Sequence, residues 1–267
     1  MGLARNTLVD LKNGLPPRQL ADRLHPRGVV FIHVPKCAGT SIENALRAQF
    51  RLSRFMIDPE TSFSATRLYG KSGQHEKLMQ ASELRRHMLH YALASGYKCI
   101  TGHAPLGIST IPEATASHDF ITVLRDPVER FYSHLRFNQT DKSGHGRITL
   151  PVTEFLTSPR AHVMGNLYGK YFSGLPMQAD LGGREAVDRS KQQLTLFSAV
   201  GFLDRLDQFN MKVSALTGKK LQPGHDNRTI PTPHEGSDDL SGFHDQIEDL
   251  CQTDIEIYNW ARQEFST

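Results

Sequence analysis

The sequence predicts a single α/β domain in which a parallel β-sheet is flanked by helices. The chain has 267 residues, of which 38% are hydrophobic and 22% charged, which is enough to bury one substantial core. Short apolar runs, bounded by polar or turn residues, alternate with longer stretches of helical periodicity. No fixed-period repeat or low-complexity tract interrupts this alternation. The pattern is typical of parallel sheets, which bind ligands at the carboxyl ends of their strands.

Four apolar runs have the length of buried strands, namely residues 28–34, 97–101, 120–124 and 196–202. Helical patterns cover about residues 76–95, two short segments within 151–172, residues 183–194, and an amphipathic stretch from 240 to 261. Two stretches rich in turn residues are predicted to be loops, 51–75 and 219–236. We therefore predict an N-terminal segment, 1–27, and one domain, 28–267, with insertions at about 51–95 and 140–195.

Charge and cysteine content exclude several classes of protein. The formal net charge of +3 is small and dispersed, so it gives no basic patch suited to nucleic acid. Cys37, Cys99 and Cys251 are too far apart for a C-x-x-C metal pair and cannot form a closed disulfide set, which indicates a reducing compartment. Charged residues are spread through the first 27 positions, so the apolar core of a signal peptide does not fit there. No apolar run approaches the roughly 20 residues of a membrane span.

The segment 33–41, with the sequence HVPKCAGTS, follows the first strand and precedes an amphipathic helix. Its backbone N–H groups and the free N–H groups at the start of the helix are predicted to converge on an anion, which the helix dipole also favours. Lys36 adds a full positive charge, and Ala38 and Gly39 allow the backbone to approach a phosphate closely. Thr40 and Ser41 offer N-caps and hydroxyl donors.

The alternative for this segment is a turn without a ligand, closed by a capping box from Thr40 to Glu43. It is not a Walker A loop, because that motif has its lysine after the last glycine, whereas Lys36 comes before Gly39. Cys37 is predicted to fill space in the turn; the alternative is a reactive thiol beside Lys36.

A second segment, 125–135 with the sequence RDPVERFYSHL, repeats this arrangement at the end of another strand. Asp126 is predicted to cap the helix, and Pro127 to occupy its first position, where a missing N–H costs nothing. Arg125 then lies at the carboxyl edge of the sheet, and Ser133 follows in the second turn of the helix. A guanidinium and a hydroxyl are well suited to a phosphate.

Together the two segments resemble the cofactor motifs of sulfotransferases that use 3'-phosphoadenosine 5'-phosphosulfate, with the strongest likeness to the carbohydrate branch related to heparan sulfate 2-O-sulfotransferase. The resemblance implies a P-loop-like sulfotransferase fold, no metal, and transfer of a sulfuryl group to a hydroxyl of a carbohydrate. It assigns the 5'-phosphosulfate to Pro35, Lys36, Ala38, Gly39, Thr40 and Ser41. It assigns the 3'-phosphate to Arg125 and Ser133. Arg228 is expected to close over the phosphate side from a late loop; the alternative is an exposed loop arginine without a ligand.

By the same resemblance, Lys36 neutralises the charge that grows on the leaving group, and His103 is the general base. His103 follows a predicted strand and therefore lies at the edge that carries both phosphate segments. The family has a second histidine two residues upstream, where this chain has Thr101. Glu43 is the alternative base, since related branches use a glutamate on this helix.

Two other functions stay open at this point, a nucleotide or sugar kinase of the P-loop class and a non-catalytic nucleotide-binding protein. Arg51, Arg54, Arg85 and Arg86 are predicted to be solvated; the alternative is that they bind an anionic glycan. We expect a soluble, cytoplasmic enzyme of bacterial type, or else the lumenal domain of a Golgi enzyme. The acceptor, the adenine-contacting residues and the oligomeric state are not indicated by the sequence.

Overall fold

The computed structural model describes residues 25–70, 73–140, 144–222 and 240–265. Its centre is a five-stranded sheet with the strand order β2-β3-β1-β4-β5, in which every neighbouring pair is parallel. The strands are β1 Gly28–Ile32, β2 Arg54–Ile57, β3 Cys99–Gly102, β4 His118–Leu124 and β5 Ala199–Phe202. The predicted α/β class and parallel sheet are therefore confirmed.

The helices lie on both faces of this sheet. In the first half of the chain they are α1 Gly39–Gln49, α2 Pro59–Ala65, α3 Gln74–Ala94, α4 Thr110–Ala114 and α5 Pro127–Thr140. In the second half they are α6 Val152–Leu156, α7 Pro159–Gly165, α8 Leu167–Phe172, α9 Arg184–Leu194, α10 Leu206–Thr217, α11 His244–Leu250 and α12 Gln252–Glu264. Short 3-10 turns occupy Thr66–Tyr69, Leu203–Arg205 and Leu240–Phe243.

Alternate side chains of the central strand β1 pack on opposite faces, as expected for a strand. Val29 and Phe31 pack with α1 and α10, whereas Val30 and Ile32 pack with α3, α8, α9 and α12. All five residues of β1 are buried, so both layers depend on this strand. Its carboxyl end leads directly into the first motif, at the edge of the sheet where ligands of such folds bind.

The predicted strands all occur, with bounds shifted by one to three residues, but the predicted loop at 51–75 is wrong in part. It contains the edge strand β2 and the helix α2. β2 pairs on one side only, and of its four residues only Ile57 is buried; its apolar run, Phe55 to Ile57, is only three residues long. The stretch 151–172 holds three short helices instead of two, and the predicted loop 219–236 lies largely outside the described residues.

A fully buried ion pair joins the second motif to the rest of the fold. Arg130 of α5 donates from Nη2 to Oδ2 of Asp254 in α12 at 2.9 Å and from Nη1 to the Met164 carbonyl at 3.0 Å. Asp254 also accepts from the backbone N–H groups of Tyr168 at 2.8 Å and Gly169 at 3.2 Å. One carboxylate thus fastens α5 and the start of α8 to α12.

We expect Asp254→Ala to lower the free energy of unfolding by about 3–5 kcal/mol, because it leaves the Arg130 charge buried and uncompensated. Denaturant unfolding monitored by circular dichroism measures the change. Glu256→Ala is the matched control on the same helix, since Glu256 pairs with Lys191 and Arg184 at an exposed position and its loss should have little effect. Equal losses for the two variants would contradict the role given to Asp254.

Candidate functional site

The turn between β1 and α1 has a backbone conformation that few side chains adopt. Lys36 and Ala38 have φ values of +66° and +54°, in the left-handed region that favours glycine. Among the described residues, the N–H groups of Lys36, Cys37 and Ala38 have no protein acceptor. Free N–H groups in such a turn, followed by the N-terminus of a helix, form a concave anion-binding nest. The turn therefore offers free N–H donors directly before the start of a helix.

The predicted capping of this helix is wrong. α1 begins at Gly39 with Ala38 as its N-cap, and no side chain caps it, so neither Thr40 nor Ser41 is an N-cap. The box from Thr40 to Glu43 is not formed, because the Glu43 carboxylate turns to His33, with 3.3 Å between Oε2 and Nδ1. Thr40 is exposed in the first turn and Ser41 is half-buried there.

Gly39 is required by the packing of the His33 ring. A Cβ atom at Gly39 would lie 2.1 Å from Cδ2 and 2.3 Å from Nε2 of His33, closer than any real contact. The imidazole therefore fills the place that a side chain at Gly39 would take. Since Glu43 holds the other side of the same ring, His33 fixes the position of the turn relative to α1.

The second motif ends β4 beside this turn. Arg125 donates its backbone N–H to the Tyr168 hydroxyl at 2.8 Å, and that hydroxyl donates in turn to the Arg125 carbonyl. The Arg125 guanidinium reaches back to the first motif, with 3.4 Å between Nη1 and the Lys36 carbonyl oxygen. The Asp126 carboxylate accepts from the Glu129 N–H at 3.0 Å, which confirms the predicted cap. The two motifs thus meet at the carboxyl edge of the sheet.

One face of α5 contacts both motifs. Glu129, Ser133 and Phe137 are spaced four residues apart and share that face. Glu129 contacts Arg125, with 3.5 Å between its Oε2 and the arginine Nη2. The Lys36 ammonium lies over the Phe137 ring, 4.1 Å from the ring centre. Ser133 lies between these two contacts and is half-buried. Sequence reasoning missed Phe137, although its spacing from Ser133 places it on this face.

Burial and the charge of Arg125 lower the pKa of Lys36, so its ammonium is held in an environment that favours an anionic partner. Cys37 is fully buried behind the turn, and burial raises the pKa of its thiol to about 11. A thiol in this state is unreactive, so the structure favours the predicted space-filling role of Cys37.

His103 follows β3 and lies against His33, with 4.2 Å between the ring centres. Its Nδ1 is 2.6 Å from the His33 carbonyl oxygen, and because a carbonyl only accepts, Nδ1 carries the hydrogen. Burial and the charges of His33 and Arg85 lower the pKa of His103 well below 6.5. The ring is therefore neutral at pH 7, with its Nε2 lone pair available to accept a proton.

Glu43, the alternative base, is committed to His33. Burial acts to raise the pKa of its carboxyl, but the hydrogen bond with His33 and the neighbouring Thr101 hydroxyl outweigh it, and the pKa is lowered. A carboxylate that is buried and bonded to a protein imidazole is a poor acceptor for a proton from substrate. Thr101 stands where the similar family has a second histidine, and its hydroxyl acts to lower the pKa of Glu43.

The part of the chain that carries both motifs and His103 is similar to a known family. The model of the sulfotransferase family matches residues 23–150. That stretch contains β1 to α5, and with them both anion-binding motifs and His103. No curated protein matches the chain.

Two solved structures are similar at low identity. A sulfotransferase from Alicyclobacillus acidocaldarius is 15% identical, with a TM-score of 0.41, covering 88% of this chain and 99% of that one. A structure of the PezAT chromosomal toxin–antitoxin system of Streptococcus pneumoniae is 9% identical, with a TM-score of 0.37, covering 86% and 87%.

Several cationic groups near the site escaped sequence reasoning. The prediction that Arg85 and Arg86 are solvated is wrong, since they are 8% and 6% exposed, whereas Arg51 and Arg54 are exposed as predicted. The positions of Arg85 and Arg86 on a long helix gave no sign of burial, because the residues that cover them come from α2 and from the chain after α8. His134, next to Ser133, is also buried at its Nδ1, which has no hydrogen-bond partner in the described part of the chain.

Three further observations concern the sequence predictions. Arg228 lies outside the described residues. Residues 25–70, 73–140, 144–222 and 240–265 contain no cluster of three or more His, Cys, Asp or Glu side chains suited to a metal ion. None of the helices in these ranges is both long enough and apolar enough to cross a membrane.

We expect Gly39→Ala to cost about 1–3 kcal/mol of folding free energy in the native background, because the new methyl group overlaps the His33 ring. In a His33→Ala background the same substitution should cost much less, since alanine is otherwise acceptable at a helix start. A double-mutant cycle by denaturant unfolding measures this coupling. An equal cost in both backgrounds would show that His33 does not impose glycine at this position.

Proposed function

We propose that this protein is a sulfotransferase that moves a sulfuryl group from 3'-phosphoadenosine 5'-phosphosulfate to a hydroxyl group, most simply that of a carbohydrate. The observation that carries the proposal is the 3.4 Å contact between the Arg125 guanidinium and the Lys36 carbonyl. It brings an N–H nest and a guanidinium side by side, and a nucleotide with an anion at each end needs both. The family match over residues 23–150 supports the same activity.

The residues of the two motifs fit the two ends of this donor. When bound, the donor would supply an activated sulfuryl group. The free N–H groups of the left-handed turn and the Lys36 ammonium would hold the 5'-phosphosulfate. Arg125 and Ser133 would hold the 3'-phosphate, with the guanidinium giving two parallel hydrogen bonds and the hydroxyl a third. The subsite for the 5'-phosphosulfate is shaped or extended by Pro35, Gly39, Thr40 and Ser41.

Lys36 is suited to stabilise the leaving group. Its ammonium rests on the Phe137 ring, a contact that an approaching anion can replace at little cost because the ring does not neutralise the charge. Charge accumulates on the bridging oxygen as the sulfur–oxygen bond breaks, so this interaction strengthens toward the transition state. Transfer of a sulfuryl group, like that of a phosphoryl group, depends mainly on positioning and on such charge stabilisation.

His103 is suited to take the proton of the acceptor hydroxyl. Its tautomer is fixed by the His33 carbonyl, its Nε2 is free of a proton at neutral pH, and it adjoins the turn through the His33 ring. Glu43 supports this base through His33 and is not itself the base in the proposal. The carbohydrate acceptor is proposed from the resemblance of the two motifs to the carbohydrate branch.

Isothermal calorimetry with adenosine 3',5'-bisphosphate tests the donor site. We expect binding without Mg²⁺, at least ten times weaker binding of adenosine 5'-monophosphate, and loss of that preference in Arg125→Ala, since hydrogen bonds to a charged group contribute about 1.5–3 kcal/mol. Arg54→Ala, at an exposed position, is the matched control. Mg²⁺-dependent binding of ATP with no affinity for the bisphosphate would favour a kinase and overturn the proposal.

The pH profile of kcat, measured by bisphosphate release with a panel of glycan acceptors, tests the base. Because the pKa of His103 is lowered, its base form persists on acidification, so kcat should stay level from about pH 8 to 6.5 and decline only below that. His103→Ala should lower kcat by about 10²–10⁴-fold, whereas His87→Ala, at an exposed site on α3, should not. An unchanged kcat in His103→Ala would assign the base elsewhere, and normal bisphosphate binding without turnover in the native protein would indicate a non-catalytic binder.

A further inference from the structure

A cleft with a volume of about 320 Å³ lies between α7, α11, α12 and the turn that precedes α9. None of the described residues that line it belongs to either motif or to the loop of His103, so the proposed transfer reaction does not explain it. Its volume is at the lower end of the range of small-molecule sites, about 300–1,000 Å³, and suits a small ligand. Buried side chains form its base, and exposed side chains form its rim.

Asn166 lies at the base of the cleft, with only 3% of its surface exposed. Its Nδ2 atom donates to the His162 carbonyl at 2.8 Å. Because a carbonyl group only accepts, this bond fixes the orientation of the amide and turns Oδ1 away from that carbonyl. No donor in the described part of the chain reaches Oδ1, yet the atom is not sealed from solvent. The amide oxygen of Asn166 thus faces the cleft without a partner.

Gly182 and Thr253 complete the base. A Cβ atom at Gly182 would lie 3.2 Å from Cγ, Nδ2 and Oδ1 of Asn166, so the glycine backbone lies directly against the amide. The Thr253 hydroxyl donates to the Gly182 carbonyl and uses its only proton there. Toward a ligand, Thr253 can therefore only accept. The base of the cleft offers hydrogen-bond acceptors in fixed positions and no donor of its own.

Acceptors also prevail at the rim. Gln252 donates its Nε2 to the Glu248 carbonyl at 3.3 Å, which leaves its amide oxygen free. The Asp249 carboxylate is exposed and has neither a hydrogen bond nor an ion pair with any described residue. His162 and Gln246 are exposed as well and can donate or accept. Within the described ranges, no lysine or arginine lines the cleft.

These groups discriminate between classes of ligand. An anion is disfavoured, because Asp249 repels it and no lysine or arginine attracts it. An apolar ligand would cut the Asn166 oxygen off from water without giving it a donor, which is unfavourable. A single ammonium group is compact and cannot serve acceptors that come from several helices. A ligand with several hydroxyl groups supplies separate donors, and its C–H groups can pack on Leu156 and Leu250.

We propose that this cleft binds a neutral polyhydroxyl ligand of the size of one sugar ring, whose hydroxyl groups donate to Asn166, Asp249 and Gln252. The site is distinct from the proposed transfer site, because none of these residues holds the donor or the base. It goes beyond the proposed function, which assigns no ligand to this part of the chain.

The test titrates the full-length protein with D-glucose, D-galactose, D-mannose and N-acetyl-D-glucosamine, one at a time, by ligand-observed NMR. Asp249→Ala is compared with Glu248→Ala, which removes a neighbouring exposed carboxylate of α11 that does not line the cleft. We expect at least one sugar to bind native protein and Glu248→Ala equally, and Asp249→Ala at least about fivefold more weakly, since a hydrogen bond to a charged group is lost. Absence of sugar binding to native protein, or equal binding to the two variants, would overturn the proposal.

A second variant removes the amide at the base. Asn166→Ala should also weaken sugar binding by about fivefold or more, because the partnerless oxygen is gone. It removes the bond to the His162 carbonyl too, so its melting temperature is measured before the titration. Should Asn166→Ala fail to fold, Asp249→Ala decides the question, because its side chain is exposed. A folded Asn166→Ala with unchanged affinity contradicts the proposal.

Two controls identify the ligand class and the place of binding. Ethylammonium and acetate are titrated in parallel; if either binds more tightly than every sugar and loses affinity in Asp249→Ala, the cleft is an ion site and the proposal is wrong. His103→Ala should bind the sugar as native protein does. Loss of sugar binding in His103→Ala but not in Asp249→Ala would place the sugar at the transfer site. Calorimetry with adenosine 3',5'-bisphosphate should give equal affinities for native protein and Asp249→Ala, so a failure of the donor assignment is seen separately.

Discussion

The His33 imidazole packs against the backbone of Gly39, and the arrangement of the site depends on that contact. One side of the ring excludes any side chain from position 39, Nδ1 is held by Glu43, and the ring face lies against His103. The same residue offers its carbonyl to His103 Nδ1 and so fixes the tautomer of that ring. A single side chain at the end of the central strand thus ties the anion-binding turn to the proposed base. Motion of either would disturb the other, because packed interiors have little free volume.

Positive charge is concentrated where the two motifs meet, although the whole chain has a formal net charge of only +3. Lys36 and Arg125 lie at this junction, where the Arg125 guanidinium contacts the Lys36 carbonyl. Two nearby carboxylates are already engaged, Glu43 by His33 and Glu129 by Arg125. Placing two cations close together in a partly buried position is unfavourable for folding and favourable for binding anions. The lowered pKa of Lys36 expresses that cost. The local placement of charge therefore predicts the ligand better than the net charge of the chain does.

The sequence allowed prediction of whatever depends on local pattern. Central strands such as β1 and β4 are continuous apolar runs, and the Asp126-Pro127 start of α5 follows ordinary capping chemistry. Features that depend on tertiary contacts were missed or misjudged. The apolar run of the edge strand β2, Phe55 to Ile57, is only three residues long and was not recognised as a strand. Burial of Arg85 and Arg86 is imposed by other elements of the chain, and the capping box at Glu43 failed because His33, ten residues earlier, competes for the same carboxylate.

The short helix α8 joins the parts of the site that the two motifs leave separate. The Tyr168 hydroxyl holds the backbone of Arg125, and the N–H groups of Tyr168 and Gly169 bind the buried Asp254. The Tyr171 carbonyl accepts from the Leu106 N–H at 2.9 Å, just after His103. Tyr168, Gly169 and Tyr171 thus connect the second motif, the buried ion pair and the loop that follows His103. A short helix can do this because its first N–H groups and last carbonyls have no partner within the helix and are available to its neighbours. The position of the His103 loop relative to Arg125 consequently depends on α8 as well as on the sheet.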